Sequence, residues 1–317
     1  MTQITQDNVV VEQPRVGRSL WSDAVRRIMQ DPAAVACLGV IVLYVVIAIF
    51  AAIAWPDWAQ YYDYGNINKA PTTEHPLGTD EFGNDVLAKT MLGAKVSVIV
   101  GFMSNIIAIP VGMLLGAMAG YYGGKLDDFI VWLFSTLASI PGLIRVIAIK
   151  FAFQSIDSFD IAIGGWTIAE NVDLAGLPGI ILALSVSGWI GTCRLVRAET
   201  FKLRELDYVL AARASGRGGL SILMRHILPN VVHLGIINFS LGFIGAVKAE
   251  VALSYLGIGV TDQPSWGSMI SDARMDLIVG RWWQIAAAGT AMFILVLALN
   301  IFGDRLRDAL DPKLKNL

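Results

Sequence analysis

Four stretches of this chain, Ala33–Trp55, Val96–Gly120, Ala175–Cys193 and Ile285–Gly303, contain no Asp, Glu, Lys or Arg, and Val231–Val247 is a fifth. No other feature constrains the fold as strongly. A helix that crosses a bilayer needs about 20 mostly apolar residues. In lipid, every backbone N–H and C=O must also be satisfied within the segment, and an α-helix does that. Asp128–Phe153 is a sixth run, apolar apart from its ends, Arg145 and Lys150, and the fifth is expected to continue through Lys248 and Glu250 to near Gly259. With 55% hydrophobic residues and a mean hydropathy of +0.61, the chain exceeds the roughly 45–50% apolar content of soluble domains. The expected fold is all-α: a polytopic membrane protein with six transmembrane helices. Pro110, Gly112, Gly116, Pro141 and Gly242 fall inside spans, where such residues are tolerated and let helices approach closely.

Orientation follows from Lys and Arg, which favour cytoplasmic loops. With the N-terminus inside, the inner segments carry sixteen of these residues, seven of them between Arg194 and Arg225, and the outer segments five. Both termini and the segment Arg194–Asn230 are therefore expected inside. The outer loop Gln154–Asp173 has no Lys or Arg and carries Asp157, Asp160, Glu170 and Asp173. Residues 1–32 read as a cytoplasmic arm rather than a signal peptide, with an amphipathic helix near Trp21–Met29. Residues 33–92 hold the first span and an external segment, 93–304 the main transmembrane domain, and 305–317 a cytoplasmic tail.

Cys37 and Cys193 lie in apolar runs, and the three histidines lack metal-ligand spacing with Cys or acidic residues. Neither a disulfide framework nor a metal site is expected. Gly123-Gly124-Lys125 is followed by Leu126, so no phosphate-cradling GxxxxGK[ST] loop is present. Ser97, Ser185, Ser187 and Ser240 have no evident activating partner, which argues against an intramembrane enzyme. A passive channel is the other rival; it would work without an ATPase.

One polar, basic segment between spans stands out: Asp207 to Asn230, DYVLAARASGRGGLSILMRHILPN. A helix is expected from Arg204 to Ser215, stopped by Gly216 as a C-cap. Leu206, Val209 and Leu210 then form an apolar stripe, ended by Arg213, that suits a groove on a soluble partner. A second amphipathic stretch, Leu220–Ile227, leads into Pro229 at the start of the next span.

The order Ala211-Ala212, Gly216, Leu228-Pro229 resembles the cytoplasmic coupling loop of permease subunits in ATP-binding-cassette (ABC) importers. The family has a Glu where this chain has Leu210 and an Ile where it has His226. Asp207 is the nearest acidic residue that could replace the Glu. A second stretch, His75 to Asp85, HPLGTDEFGND, is similar to the HPLGTDEFGRD signature of permeases that serve dipeptide, oligopeptide and nickel importers, with Asn84 in place of Arg. Gly116–Asp127, Ser139–Leu143 at an expected third-span kink, Glu250–Trp266 and Gly303–Leu314 resemble further family segments. The likeness covers roughly residues 20–153 and 176–315 and is weakest at Gln154–Asp173.

The resemblance implies the transmembrane domain of a type-I importer in the inner membrane. Its implied partners are a homologous second permease, two cytoplasmic ABC ATPases and an external solute-binding protein, with no nucleic acid. It implies no cofactor in this chain, ATP and Mg being bound by the ATPases. Short peptides are the expected cargo, with nickel or an oligosaccharide as the alternative. The coupling loop would be formed by Leu206, Asp207, Leu210, Ala211, Ala212, Arg213, Gly216, Arg217, Leu228 and Pro229. Charged residues within spans usually face a cavity or partner. Arg145 and Glu250, with Asn105, Asn238 and Asn300, are therefore candidates for the pathway or an inter-subunit contact, and Lys150 and Lys248 are expected to snorkel to the outer interface. Asp157, Asp160, Glu170 and Asp173 are candidates for docking the binding protein.

Overall fold

The computed structural model describes residues 20–56, 63–154, 159–163, 166–172, 174, 176–260 and 262–310. Among them, five helical stretches are long and apolar enough to cross a membrane, and six spans result if one bent pair counts as a single span. An amphipathic helix α1 (Leu20–Gln30) leads into α2 (Pro32–Ala54). Asp31 begins α2 as N-cap, its Oδ1 accepting from Ala33 N at 2.9 Å, with Pro32 in the first turn where no N–H is needed. Arg305 Nε reaches Asp31 Oδ2 at 3.2 Å and ties this entry to the last helix.

Helix α3 (Val86–Tyr122) is the central element, packed against α2, α6 (Leu177–Leu203) and α9 (Leu228–Tyr255). It starts ten residues before the expected apolar run because Asp85 caps it, accepting from Leu87 N at 2.7 Å. Hydropathy detects only the lipid-spanning part of a helix. Against α6 the surface of α3 is a stripe of glycines four apart. A Cβ at Gly112 would lie 2.6 Å from Trp189 O, at Gly116 2.5 Å from Cys193 O, and at Gly120 2.8 Å from Arg197 O. The two backbones are that close because no side chain separates them, as at small-residue interfaces in membranes, where packing rather than hydrophobicity holds helices together.

The third span, expected over Asp128–Phe153 with a kink at Ser139–Leu143, is broken there. Helix α4 (Gly124–Ala138) and α5 (Gly142–Gln154) meet at a 99° bend. Pro141 lacks the N–H that would continue the ladder. The carbonyl this frees, Leu137 O, is taken by a side chain: Arg145 Nη1 donates to it at 2.7 Å and also to Ile140 O at 3.3 Å.

The expected loop at Gln154–Asp173 contains an antiparallel hairpin, β1 (Phe159–Ile163) and β2 (Trp166–Val172), pairing Ile161 with Ala169 and Ile163 with Trp166. It is an appendage to a helical fold. Asp160 and Glu170 belong to its two strands, whereas Asp157 and Asp173 lie outside the described residues.

A buried core of Tyr44, Phe243, Val247, Trp266, Met269 and Leu295 joins α2, α9, α10 (Trp266–Asp272) and α11 (Trp283–Leu310). The indole N–H of Trp266 donates to Thr90 O at 3.0 Å and that of Trp283 to Thr79 O at 2.9 Å, so both rings anchor this end of the bundle to α3 and the loop before it.

Candidate functional site

Between α6 and α9 the chain forms α7 (Asp207–Ala214), a turn, α8 (Gly219–Ile222) and a π-type turn over Leu223–Ile227. In that turn Leu228 N donates to Leu223 O, and Pro229, which has no N–H, follows within the first turn of α9. Val209, Ile222, Leu223, Ile227 and Val231 are all fully buried, in one cluster with Ala117, Tyr121 and Val196 of α3 and α6. This end of the bundle projects beyond the apolar runs. Burying each such side chain out of water contributes about 1.5–3 kcal/mol, so the segment is held firmly on the spans.

The apolar stripe expected over Leu206, Val209 and Leu210 is divided. Val209 and Ala212, three apart, face inward and are buried, while Leu206, Tyr208 and Leu210 are 45%, 41% and 41% exposed. On an α-helix, neighbours in sequence are about 100° apart, so Val209 can turn inward while Leu210 beside it stays exposed. Leu206 and Leu210, four apart, share the exposed face, and Tyr208, two positions from each, is exposed on another flank; Tyr208 carried no signal in the motif. Asp207 sits in the first turn of α7, where a carboxylate suits the helix dipole. Arg213 lies over the Tyr121 ring at 5.5 Å, and Arg217 Nη1 is 3.4 Å from His226 Nε2.

Gly216 ends α7 in a Schellman motif: its N–H donates to Arg213 O at 3.0 Å, and Arg217 N donates to Ala212 O at 3.2 Å. Its φ is +75°, and no atom lies within 4 Å of where a Cβ would stand. The demand for glycine is conformational, not steric. Gly216→Asn is therefore expected to be tolerated, whereas Gly216→Val should weaken the turn by about 1–2 kcal/mol. Faster limited trypsin cleavage at Arg213 and Arg217 in the valine variant alone would show it. Equal cleavage of both variants would contradict it.

Two basic residues brace the same end. Arg197 grips Asp127 with both arms, Nε to Oδ1 at 2.5 Å and Nη2 to Oδ2 at 2.6 Å, joining α6 to the start of α4. Arg204 Nη1 donates to Gly120 O at 3.0 Å, at the end of α3. These are positioning contacts that the motif did not reveal.

At the opposite end, the HPLGTDEFGND stretch is a folded loop whose residue types have structural reasons. Asp80, 1% exposed, accepts from Phe82 N at 2.9 Å, Asn84 N at 2.7 Å and Lys89 Nζ at 2.8 Å. Asn84, standing where Arg was expected, is buried and points Nδ2 at Asp80 Oδ2, 3.3 Å away. His75 Nδ1 lies 2.9 Å from Asp85 Oδ2 and steadies the α3 cap. At Gly83, φ is +84° and a Cβ would stand 2.1 Å from Asp63 O. Burial, then the neighbouring Asp272 and Asp276, raise the pKa of the Glu81 carboxyl.

Halfway along the spans, a groove of about 380 Å³ opens between α3, α5, α6 and α9. Its polar lining includes Ser104, Asn105, Arg145, Ser187, Thr192 and Asn238. The structure thus brings Arg145, Asn105 and Asn238 together and separates them from Asn300 and Glu250. Asn300 is exposed on α11, donating to Val296 O at 2.8 Å. Glu250 is fully buried among hydroxyls: Ser254 Oγ donates to Oε1 at 2.8 Å and Ser97 Oγ to Oε2 at 3.4 Å. No contact with Lys248 holds it, and Lys248 is exposed. Lys150 does not snorkel. It is 2% exposed and donates to the carbonyls of Ile258 and Gly259, closing the end of α9.

Comparison with known proteins places this architecture. The model of the family described as "Binding-protein-dependent transport system inner membrane component" matches residues 112–316. The chain belongs to that family. It is a membrane-spanning transport subunit, an ABC permease. A second model, the N-terminal TM domain of oligopeptide transport permease C, matches residues 19–71. The permease is 33% identical to the glutathione transport system permease protein GsiD of Pectobacterium atrosepticum, over 94% of this chain and 93% of that one. It is 32% identical to the dipeptide transport system permease protein DppC of Bacillus subtilis, over 95% and 88%. A solved chain of the MetNI methionine ABC transporter is 20% identical with a TM-score of 0.49, covering 70% of this permease and 93% of that chain.

Proposed function

We propose that this permease is one of two homologous membrane subunits of an ATP-driven importer that moves short peptides inward. The observation that carries the reading is the α7 surface: Leu206 and Leu210, four apart, stay exposed on a segment whose buried side is locked into the spans. An apolar face held this way can transmit the movement of a docked partner to α3 and α6. Two ABC ATPases would dock there and bind ATP and Mg; this chain would hydrolyse nothing. A solute-binding protein would deliver cargo at the outer end, near the hairpin and the His75–Asp85 loop. Asp157, Asp160, Glu170 and Asp173 would steer its approach, since charges of one sign set encounter rates more than final affinity. The peptide assignment draws on the relatives, named for dipeptide and glutathione transport. The test is reconstitution of the complete importer in liposomes: tripeptide uptake should require ATP, the ATPases and the binding protein. Uptake without ATP would favour a channel and refute the reading.

The same reading puts both termini and α7 in the cytoplasm. Single cysteines replacing Glu74 and Leu220, both exposed, in a background lacking Cys37 and Cys193, are expected to react with a membrane-impermeant maleimide from opposite faces. Labelling of both from one face would overturn the orientation.

A further inference from the structure

Among the described residues, Arg145 is the one cation lining the groove between α3, α5, α6 and α9, and no Asp or Glu lines it. The groove lies at mid-span: Ser104 and Asn105 are halfway along α3, Ser187 halfway along α6, and Asn238 and Gly242 in the middle of α9. The guanidinium is held by the bend beneath it. Nη1 binds the Leu137 and Ile140 carbonyls, and Nε points at Ser187 Oγ, 3.4 Å away. Nη2 has no acceptor among the described residues, and Arg145 makes no ion pair with any of them. Arginine stays charged at any working pH. Its charge is therefore compensated only by carbonyl and hydroxyl dipoles. The neighbouring groove between α2, α3, α9 and α11, of about 490 Å³, has no charged lining residue and is walled by Leu38, Phe102, Phe239 and Leu299. Polarity is thus concentrated on one side of the bundle.

We propose that Arg145, with Ser187, Asn105 and Asn238 around it, forms a mid-membrane subsite for the carboxylate of the cargo during translocation. A fixed guanidinium with donors to spare pairs well with a carboxylate, and an ionisable group at this depth calls for a counter-charge. A zwitterionic peptide brings one in its C-terminus. The amide and hydroxyl groups can pair with its backbone without selecting side chains. This inference rests on the importer reading and specifies the chemistry of its cargo path.

The experiment compares wild type with Arg145→Lys, Arg145→Gln and Arg145→Met in the complete, purified importer. Glutamine retains an N–H for the carbonyls at the bend but no charge. Two probes are used, trialanine and its C-terminal amide. Binding to the importer without its binding protein, read by calorimetry, is expected to favour the acid at least ten-fold in wild type. In Arg145→Gln that preference should vanish, and Arg145→Lys should restore most of it. ATP-driven uptake of trialanine should fall ten-fold or more in the glutamine and methionine variants alike, with complex assembly intact. No preference for the acid in wild type overturns the subsite. So does a glutamine variant with wild-type uptake beside a defective methionine variant, since Arg145 would then only brace the bend. Loss of complex assembly in the glutamine variant also overturns it, by showing that a carboxylate of the second permease is the partner. Wild-type uptake that needs ATP but ignores Arg145 removes this inference alone; absence of any ATP-dependent peptide uptake removes the importer reading.

Discussion

Asp80→Ala is expected to destabilise the folded permease by about 3–5 kcal/mol, the cost of stranding one partner of a buried ion pair. Asp80 is 1% exposed and holds Lys89 Nζ at 2.8 Å; the nearest other carboxylate to that ammonium is Asp272 at 3.9 Å. Its loss also strips two backbone N–H groups, of Phe82 and Asn84, of their acceptor. The loop that anchors Trp283 through Thr79 O would loosen with it. Thermal unfolding in detergent, followed by size exclusion, measures the effect. Asp80→Asn should fall between wild type and alanine, since Oδ1 remains an acceptor. The double change Asp80→Ala with Lys89→Met should recover part of the loss, because removing both charges strands neither. A melting curve for the alanine variant that overlays wild type would contradict this account.

The second large effect separates two adjacent residues. Leu210→Asp, on the exposed face of α7, is expected to leave the permease folded and to weaken ATPase binding at least thirty-fold, the effect of losing about 2 kcal/mol at an interface anchor. Val209→Asp, one residue earlier, should instead prevent folding of the segment, because Val209 is fully buried and a carboxylate there has no partner. Pull-down of the ATPases and yield of monodisperse protein read the two outcomes separately. A folded Leu210→Asp variant that binds and stimulates the ATPases normally would remove α7 from the docking surface. An equally well-folded Val209→Asp variant would show that the buried cluster does not hold α7.

Much of this molecule was legible in the sequence because lipid imposes a simple rule. Segments of about 20 residues without charges have few alternatives to a spanning helix, and five of the expected runs lie in long helices. The motif residues were legible for a different reason. Gly216 requires a positive φ and Pro229 starts a helix, and these are local properties that a residue carries with it. Helix direction at α7 was legible too, but not which of Leu206, Val209 and Leu210 faces out.

What only the tertiary structure decided is how charge is placed against distant backbone. Lys150 looked like a snorkelling residue, yet its ammonium closes carbonyls at Ile258 and Gly259, more than a hundred residues away. Glu250 looked like a residue of the pathway or of an inter-subunit contact, yet it lies buried among hydroxyls from α3 and α9. Arg145 looked like an interruption of a span, yet it completes a 99° bend and lines a groove. In each case the sequence shows a charge inside an apolar run and so demands compensation. Which dipoles or charges supply it depends on helices that meet only once the chain is packed. By itself, then, the sequence determined the spans, the Gly216 stop and the family, because these depend on local composition and on the solvent. The tertiary structure alone decided the partner of each buried charge, because electrostatic compensation is set by distance in space.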